Sequence, residues 1–271
     1  MLAKFRRGGT DHAKLEKAWR WRSIMLLAAS PGLVVLGSLN EGCVGRPAPQ
    51  SASDEPGSFF RSCSLDDWHP PTGDWQVVGE VELDYADPRR FRARPGEGVL
   101  WNGPQGRTVH LVSRAEFGDA VIRLEFCLPR RSNSGVYVMG RYEIQIYDSF
   151  GVTRDKYPGI ECGGIYPRWV NNREVEGHSP RVNASRPPGE WQSFEILFRA
   201  PRFDPAGRKV ENARFVRVIH NGIVVHENVE VHGPTRSALF EDEQSRGPLM
   251  LQGDHGPVAF RNIFVRPLWL P

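Results

Sequence analysis

The chain has 271 residues, of which 39% are hydrophobic and 10% aromatic, enough to bury the core of one full-sized domain. The net charge is only +3, and the 35 basic residues are scattered along the chain. This composition lacks the basic stripe of a nucleic-acid-binding protein, so no nucleic-acid partner is expected. The 28 glycines and 22 prolines favour many short strands joined by tight turns over long helices.

Residues 1–57 differ in composition from the rest of the chain and divide into two segments. Residues 1–42 have the layout of a secretory signal peptide: a basic start, an apolar stretch from Ser23 to Leu39, and small residues within and after it. Ser30-Pro31-Gly32 interrupts the apolar stretch, which favours export over a permanent membrane span. Residues 43–57 are rich in Pro, Ser, Ala and Gly, as is typical of a flexible linker. Residues 58–271 are therefore expected to be an exported domain.

Cys43 follows the apolar stretch at the position where bacterial lipoproteins carry their lipid. Asn40 and Glu41 depart from the small residues usual in that motif, so a lipoprotein and a simply secreted protein both stay open. Membrane association is expected only through the N-terminal segment or a lipid on Cys43. The expected location is the periplasm, the outer side of the inner membrane or the cell surface.

Strand-like runs separated by turn signals recur from Trp75 to the C terminus. From Ala120 to Leu128, apolar residues alternate with residues such as Arg123 and Glu125, as in a strand with one buried face. Asn221-Gly222 predicts a type I′ hairpin, because both residues tolerate the positive φ that this turn requires. Strands are expected at Trp75–Leu83, Val99–Trp101, Thr108–Arg114, Ala120–Leu128, Ser134–Val138, Arg141–Ser149, Trp191–Arg199, Arg214–His220, Ile223–Val231, Pro248–Gln252 and Val258–Arg266.

About ten to twelve short strands in roughly 210 residues predict an all-β fold, namely a two-sheet antiparallel β-sandwich or jelly roll. Phe150–Pro188 is dense in Gly, Pro, Asn and Arg and is predicted to be one long irregular loop. Loops of this length in compact domains are usually functional. Because this one carries Tyr166, Trp169 and His178, it is expected to wall a pocket.

The run from Arg141 to Ser149 places polar chemistry on a strand. Successive side chains of a strand point to opposite faces. One face is predicted to join the core and carries Tyr142, Ile144 and Ile146. The other is either an ordinary solvated sheet face or the lining of a binding groove, and it carries Arg141, Glu143, Gln145 and Tyr147.

Four motifs occur in a fixed order along the domain: Asn133-Ser134-Gly135, Tyr142 to Asp148, Gly163-Gly164-Ile165-Tyr166, and Leu251 to Gly256 continuing to Phe260-Arg261-Asn262-Ile263. In this order and at this spacing they resemble the 3-keto-disaccharide hydrolase family, formerly domain of unknown function 1080. The resemblance covers about Phe59 to Leu268. It implies a concanavalin A-like sandwich, a sugar ligand, hydrolysis of 3-keto-glycosides and the help of a divalent metal ion.

The chemistry of such a reaction defines the side chains that it needs. A ketone at C3 of a pyranose acidifies the hydrogen on C2, so a base can form an enolate and C1 then loses its leaving group. Water adds back to complete the hydrolysis. The enzyme needs a base beside C2, an electrophile for the enolate oxygen and an acid for the leaving group. A metal ion or a cationic side chain could be the electrophile.

His255 is the predicted catalytic base, because imidazole titrates near neutral pH. Gly253 and Gly256 on either side of it are expected to allow close approach of a ligand. A turn cap formed with Asp254 is the structural alternative for His255. His178 in the long loop is the second candidate for the base.

Glu143 and Gln145 share a face and could bind a metal ion or sugar hydroxyls through their oxygen atoms. Glu125 is expected on that same face, where two neighbouring carboxyls would raise the pKa of one and suit it as a catalytic proton donor. A surface salt bridge to Arg123 or Arg141 is the alternative for Glu125.

Five further residues are candidates for ligand binding. Gln252 could bond a sugar hydroxyl, and Tyr166 and Trp169 could stack on the apolar face of a sugar ring. Asp148 ends a strand, where a bond to the backbone of its own turn is the alternative. Arg261 could orient Glu143 as an ion-pair partner.

Three functions fit this sequence. The favoured one is an exported glycosidase-like hydrolase acting on 3-keto-glycosides or related sugars by elimination and then hydration. The second is a non-catalytic carbohydrate-binding module or surface lectin on the same fold. The third is a conventional retaining glycoside hydrolase, which needs two carboxyls about 5 Å apart. The amide of Gln145 between Glu143 and Asp148 counts against this third function.

Overall fold

The computed structural model describes residues 60–153 and 161–271, which hold sixteen β-strands and one short 3₁₀ helix, Leu65–Asp67. The predictions for residues 1–42, for residues 43–57 and for Cys43 lie outside these ranges. The strands are β1 (Phe60–Ser62), β2 (Gln76–Leu83), β3 (Phe91–Trp101), β4 (Leu111–Phe117), β5 (Ala120–Cys127), β6 (Asn133–Val138), β7 (Tyr142–Tyr147), β8 (Arg168–Val170), β9 (Arg173–Val175), β10 (Gln192–Arg199), β11 (Arg202–Phe203), β12 (Lys209–Glu211), β13 (Ala213–His220), β14 (Ile223–Val231), β15 (Gly247–Leu251) and β16 (Ala259–Pro267).

Eight strands form a large antiparallel sheet in the order β14-β13-β10-β5-β16-β3-β2, with β1 paired to β16. Its outermost hairpin, β13–β14, turns at Asn221 and Gly222, whose φ angles are 51° and 80°. Both angles are positive, as a type I′ turn requires. The predicted hairpin is therefore confirmed.

Four strands form a small antiparallel sheet in the order β4-β15-β6-β7. The outer edge of β7 is paired with the backbone of residues 163–166: the Gln145 N–H donates to the Gly164 carbonyl at 2.9 Å, and the Tyr166 N–H donates to the Glu143 carbonyl at 3.1 Å. Part of the predicted irregular loop thus acts as an added strand, because an open edge leaves backbone groups that need partners.

The predicted loop also contains the β8–β9 hairpin, which the sequence pattern did not indicate. Asn171 and Asn172 connect its strands, with φ angles of 49° and 61°. Two Asn residues at positive φ make the same turn as Asn221-Gly222. The strands have only three residues each, so no alternation of apolar and polar residues is visible in them.

The core lies between the two sheets and is built from alternate side chains of each strand. β5 contributes Ile122, Leu124 and Phe126, and β7 contributes Tyr142, Ile144 and Ile146, all at most 2% exposed. Burying each side chain of this size stabilises the fold by about 1.5–3 kcal/mol. The two-sheet sandwich and the buried face of β7 are confirmed. The side chains between these positions point outward, so those of β5 and those of β7 lie on opposite sides of the core.

Within residues 60–153 and 161–271, no helix is long and apolar enough to span a membrane.

Candidate functional site

Polar side chains form two adjacent rows on the outer face of the small sheet. Tyr137 on β6 is directly paired with Glu143 on β7, and Tyr166 follows on the far side of Glu143. Directly paired residues of an antiparallel ladder share a face, so these three side chains lie side by side. The neighbouring row consists of Gln252, Gly135, Gln145 and Gly164.

Gly135 provides the space that the Glu143 carboxyl occupies. A Cβ at this position would lie 2.1 Å from Oε1 of Glu143, so the carboxyl leans across β6 toward the second row. The Gln252 N–H donates to the Gly135 carbonyl at 3.0 Å, which places Gln252 just beyond this gap. Glu143 is 2% exposed, so its carboxyl group is nearly withdrawn from water.

Burial, and to a smaller extent the nearby charge of Asp254, raise the pKa of the Glu143 carboxyl to about 8. The neighbouring Tyr137 hydroxyl lowers the pKa of Glu143 and so opposes this shift. The same hydroxyl donates a hydrogen bond to the Arg236 carbonyl at 3.4 Å. A carboxyl with a pKa above neutral holds its proton at pH 7. Glu143 is therefore suited to donate a proton, as a leaving-group acid must.

We expect Gly135→Ala to lower activity by displacing the Glu143 carboxyl, since the new methyl group would occupy its position. Gly135 does not have a positive φ, so backbone strain does not contribute. Activity and thermal unfolding of Gly135→Ala, Glu143→Gln and the double variant make a double-mutant cycle. The double variant should be no less active than Glu143→Gln alone; fully additive losses would show that Gly135 acts independently of Glu143.

The loop after β15 brings Asp254 and His255 to this face, beside His110. The Nδ1 atom of His255 lies 2.5 Å from Oδ1 of Asp254, and the Nδ1 atom of His110 lies 3.9 Å from the same oxygen. His110 directly precedes Leu111, which is paired with Leu251 and buried, so the His110 side chain points outward. Because the Gln252 N–H donates to the Gly135 carbonyl, the Asp254–His255 loop begins at the end of the second polar row.

Asn102 holds this loop in place, and the sequence pattern missed it. Its amide donates to the carbonyls of Gly253 and Gly256 at 3.1 and 2.8 Å, and its Oδ1 accepts from the Val258 N–H at 2.8 Å. All these groups are buried, so each bond satisfies a polar group that water cannot reach. The turn signal Asn102-Gly103 was visible in the sequence, but its partners lie about 150 residues away.

The two glycines of the loop have another role than the one expected. A Cβ on Gly253 would lie 2.3 Å from the Val109 carbonyl oxygen, and one on Gly256 would lie 2.5 Å from Oγ of Ser132. Both glycines therefore allow the loop to pack closely against the protein. The expectation that they admit a ligand is wrong.

Tyr166, Trp169 and Arg236 form a wall beside Glu143. The Arg236 guanidinium stacks over the Trp169 ring at 4.3 Å. The backbone N–H of Arg236 donates to the Pro167 carbonyl at 2.9 Å. Trp169 is 46% exposed. Burial and the neighbouring Glu143 charge raise the pKa of Tyr166, so its hydroxyl keeps its proton. The structure thus brings both predicted stacking residues to the side of the polar rows, with an aromatic ring open to a ligand.

Two buried side-chain oxygens near the rows have no hydrogen-bond partner: Oε1 of Gln252 and Oδ1 of Asn133. Asn133 shares the outward face of β6 with Gly135. Buried acceptors are rarely left without a donor. Each oxygen is free to accept a hydrogen bond from a hydroxyl group, and ligand binding by Gln252 stays a prediction.

Glu125 and Arg261 do not belong to this site. The Arg261 Nε–H donates to Oε2 of Glu125 at 2.7 Å, and the Arg261 guanidinium stacks on Trp191 at 4.0 Å. Both residues lie on the outer face of the large sheet, with the core between them and Glu143. The expectations that Glu125 sits beside Glu143 and that Arg261 orients Glu143 are wrong. A salt bridge was the right alternative for Glu125, but its partner is Arg261.

Asp148 and His178 also lie apart from the polar rows. Oδ2 of Asp148 accepts from the Arg131 N–H at 2.8 Å, as expected for an Asp that stabilises a turn. His178 is paired with Ile165, whose side chain is in the core. His178 therefore faces away from Glu143, and its candidacy as the base is not supported. Ligand binding by Asp148 stays a prediction.

The two predicted metal ligands supply one carboxylate and one amide oxygen. Oε1 of Gln145 already accepts from the Ile146 N–H at 3.2 Å. In the part of the chain that the structure describes, no group of three or more His, Cys, Asp and Glu side chains could hold a metal ion. Glu143 and Gln145 alone do not supply the six or more oxygen ligands that a divalent cation usually takes, and a metal ion at this site stays a prediction.

A cavity of about 410 Å³ lies on the outer face of the large sheet, away from this site. Its charged side chains neutralise one another: Arg214 pairs with Glu230 at 2.6 Å, and Arg199 pairs with Glu211. It offers a surface of paired charges rather than an acid–base group.

The fold and this face define a two-sheet β-sandwich protein with a buried acid and an imidazole pair on the small sheet. Residues 56–266 match the family model described as the 3-keto-alpha-glucoside-1,2-lyase-like domain. The chain therefore belongs to this family, as the motifs indicated. A comparison with curated proteins found no significant match.

A solved structure shares the fold. This structure, from Parabacteroides distasonis and described as a candidate glycosyl hydrolase, is 23% identical with a TM-score of 0.51 over 83% of this chain and 94% of its own. A second protein of that organism with the same description is 21% identical, with a TM-score of 0.45 over 72% of this chain and 99% of its own. At these identities the likeness concerns the fold alone.

Proposed function

We propose that the protein is an exported enzyme that cleaves 3-keto-glycosides by base-promoted elimination between C1 and C2, followed by addition of water. Membership of the family supports a carbohydrate-related function. The observation that carries the proposal is the buried Glu143 carboxyl, whose pKa burial raises to about 8, beside a loop that holds an imidazole against a carboxylate. This pairing supplies an acid and a base on one face.

His255 is the base of the proposed reaction. Its Nδ1–H donates to the Asp254 carboxylate, so Nε2 keeps its lone pair and Asp254 stabilises the imidazolium that forms. Nε2 takes the proton from C2, and the electron pair of the C2–H bond forms the enolate with C3. When the C3 carbonyl forms again, a C1–C2 double bond appears and the C1–O bond breaks. Glu143 gives its proton to the departing oxygen.

The sugar itself is held by groups around the carboxyl. Gln252 and Asn133 offer their unpartnered oxygens to hydroxyl donors, and Gln145 is paired with Gly135 on the opposite side from Gln252. Tyr166 and the exposed Trp169 provide ring surface for stacking. A carbohydrate is therefore the proposed ligand, whether or not turnover follows.

The first experiment measures aglycone release by the purified protein from 3-keto-glucosides and from the same glucosides without oxidation. Release from the keto compounds alone supports elimination. Release from both would instead indicate a conventional hydrolase. No release, with sugar binding still detected by calorimetry, would favour the carbohydrate-binding module, which the exposed Trp169 also suits.

A chelator arm of the same assay tests the divalent metal that the family resemblance implied. Loss of release on chelation and its return on adding Mg²⁺ or Mn²⁺ would support a metal. Unchanged release would favour a reaction run by side chains alone.

A further inference from the structure

Two imidazoles face the same carboxylate on the outer face of the small sheet, and they are held differently. The His255 and His110 side chains are 51% and 30% exposed, so both can be reached by a ligand. Nδ1 of His255 touches Asp254 at 2.5 Å. Nδ1 of His110 is 3.9 Å from Asp254, beyond hydrogen-bond distance, and has another partner.

That partner is the backbone N–H of Gly253, which donates to Nδ1 of His110 at 3.2 Å. A nitrogen that accepts a hydrogen bond carries no proton, so the neutral ring of His110 has its proton on Nε2. The opposite holds for His255, where the Asp254 carboxylate requires a proton on Nδ1 and leaves Nε2 unprotonated. The hydrogen-bond partners thus assign opposite tautomers to the two rings.

The position of the Gly253 N–H is fixed from several sides. The Gly253 carbonyl accepts from the Asn102 amide at 3.1 Å and from the Thr108 N–H at 2.9 Å. The Gly253 Cα packs against the Val109 carbonyl, which leaves no room for a Cβ. Because this backbone is held rigidly, the tautomer of His110 is built into the fold.

We propose that His110 is the electrophile of the reaction: its Nε2–H donates a hydrogen bond to the C3 oxygen while His255 removes the C2 proton. The proposal rests on the proposed function and adds the group that stabilises the enolate. As the C2–H bond breaks, its electron pair becomes the C2–C3 π bond and the carbonyl π electrons move to oxygen. That oxygen receives the His110 hydrogen bond, and no proton is transferred to it. A neutral donor aimed at developing charge lowers the barrier without drawing a proton from another group.

The cationic side chain on this face is less suited to the role. The Arg236 guanidinium is stacked on Trp169 at 4.3 Å and shares an ion pair with Glu174 at 3.5 Å. The Arg236 charge therefore already interacts with Trp169 and Glu174. His110 instead contacts the loop that carries the base, through the Gly253 N–H.

Two variants separate a catalytic from a structural role of His110. In His110→Asn, the amide oxygen takes the place of Nδ1 and still accepts from the Gly253 N–H, but the Nε2–H donor is lost. In His110→Gln, the amide nitrogen takes the place of Nε2 and the donor is kept. We expect His110→Asn to lower kcat on a 4-nitrophenyl 3-keto-glucoside by about 100-fold with little change in KM, the loss typical of one oxyanion donor. The kcat of His110→Gln should be at least about tenfold higher than that of His110→Asn.

A second readout follows the enolate alone. 1,5-Anhydro-3-ketoglucitol has no leaving group, so deuterium uptake from D₂O at the carbon corresponding to C2 reports only proton removal and enolate formation. His110→Asn should slow this exchange as much as it slows release. Glu143→Gln should spare the exchange, because Glu143 acts on the leaving group.

The outcomes distinguish the two proposals. Wild-type protein without release from any 3-keto-glycoside and without exchange would remove the proposed function. Wild-type activity with His110→Asn within about threefold of it, or with Asn and Gln equally impaired, would overturn the role of His110 alone. If His110→Asn does not fold, exchange by His110→Gln decides: a rate within about tenfold of wild type supports the donor, and loss of exchange overturns it.

Discussion

Replacing Glu143 with Gln should lower aglycone release from a 3-keto-glucoside with a poor leaving group by about 10²- to 10⁴-fold, the contribution usual for a positioned acid. Gln has the same shape and fits the space beside Gly135, but it has no proton to give. A 4-nitrophenyl leaving group needs little protonation, so release of nitrophenol should fall much less. Kinetics on methyl and 4-nitrophenyl 3-keto-glucosides measure this difference; an equal loss on both would contradict the role.

The same variant should change how stability depends on pH. The Glu143 pKa is about 8 in the folded protein against 4.5 as its ordinary value. Between these values the unfolded chain has lost this proton and the folded protein has kept it, so the wild-type free energy of unfolding falls as pH rises. The slope is about 1.4 kcal/mol per pH unit. Glu143→Gln should therefore be as stable as the wild type at pH 4.5 and more stable at pH 8, as denaturant titrations at several pH values would show.

Glu125→Gln is the matched control, because it makes the same chemical change on the other sheet. Glu125 pairs with Arg261 and Asn262 on the outer face of the large sheet. Its replacement should leave release within about twofold of wild type, since exposed ion pairs contribute about 1 kcal/mol or less and the site is not touched. A large loss of release in this variant would indicate that the reaction takes place on the large sheet, which would contradict the proposed site.

Glu143 and Glu125 show which features of the structure could be predicted from the sequence. Alternation of apolar and polar residues predicted correctly that Ile144 is buried and that Glu143 points outward, and likewise for Leu124 and Glu125. Alternation is local, however, and says only which face of its own strand a residue occupies. The sheet to which each strand belongs depends on long-range pairing, and that pairing put the core between the two glutamates.

His110 and Asn102 show the same limit for the site. His110 precedes a strand and gives no local signal; the pairing of Leu111 with Leu251 is what carries it to the Asp254 loop. Asn102 looked like one residue of a turn, and only its buried bonds to the 253–258 backbone reveal its role. By contrast, His255 and Gln252 fall within one short motif, so the sequence predicts their proximity without knowledge of the fold.

Replacing His255 with Ala should lower release and C2 exchange together by about 10²- to 10⁴-fold, because both begin with removal of the C2 proton. Binding of 1,5-anhydro-3-ketoglucitol, measured by calorimetry, should change little, since the His255 ring is half exposed and hydrogen-bonds to Asp254. Added imidazole should restore part of the exchange by entering the space of the missing ring.

His178→Ala is the control for this loss of an imidazole. His178 faces the core side of the small sheet, next to Ile165, and should leave C2 exchange unchanged. If His255→Ala kept its exchange rate and His178→Ala lost it, the base would lie behind the sheet and not on its outer face. If both variants kept their exchange, neither imidazole would be the base, and the Asp254 carboxylate would be the next group to replace. Only loss confined to His255→Ala agrees with a base whose unprotonated Nε2 is set by its bond to Asp254.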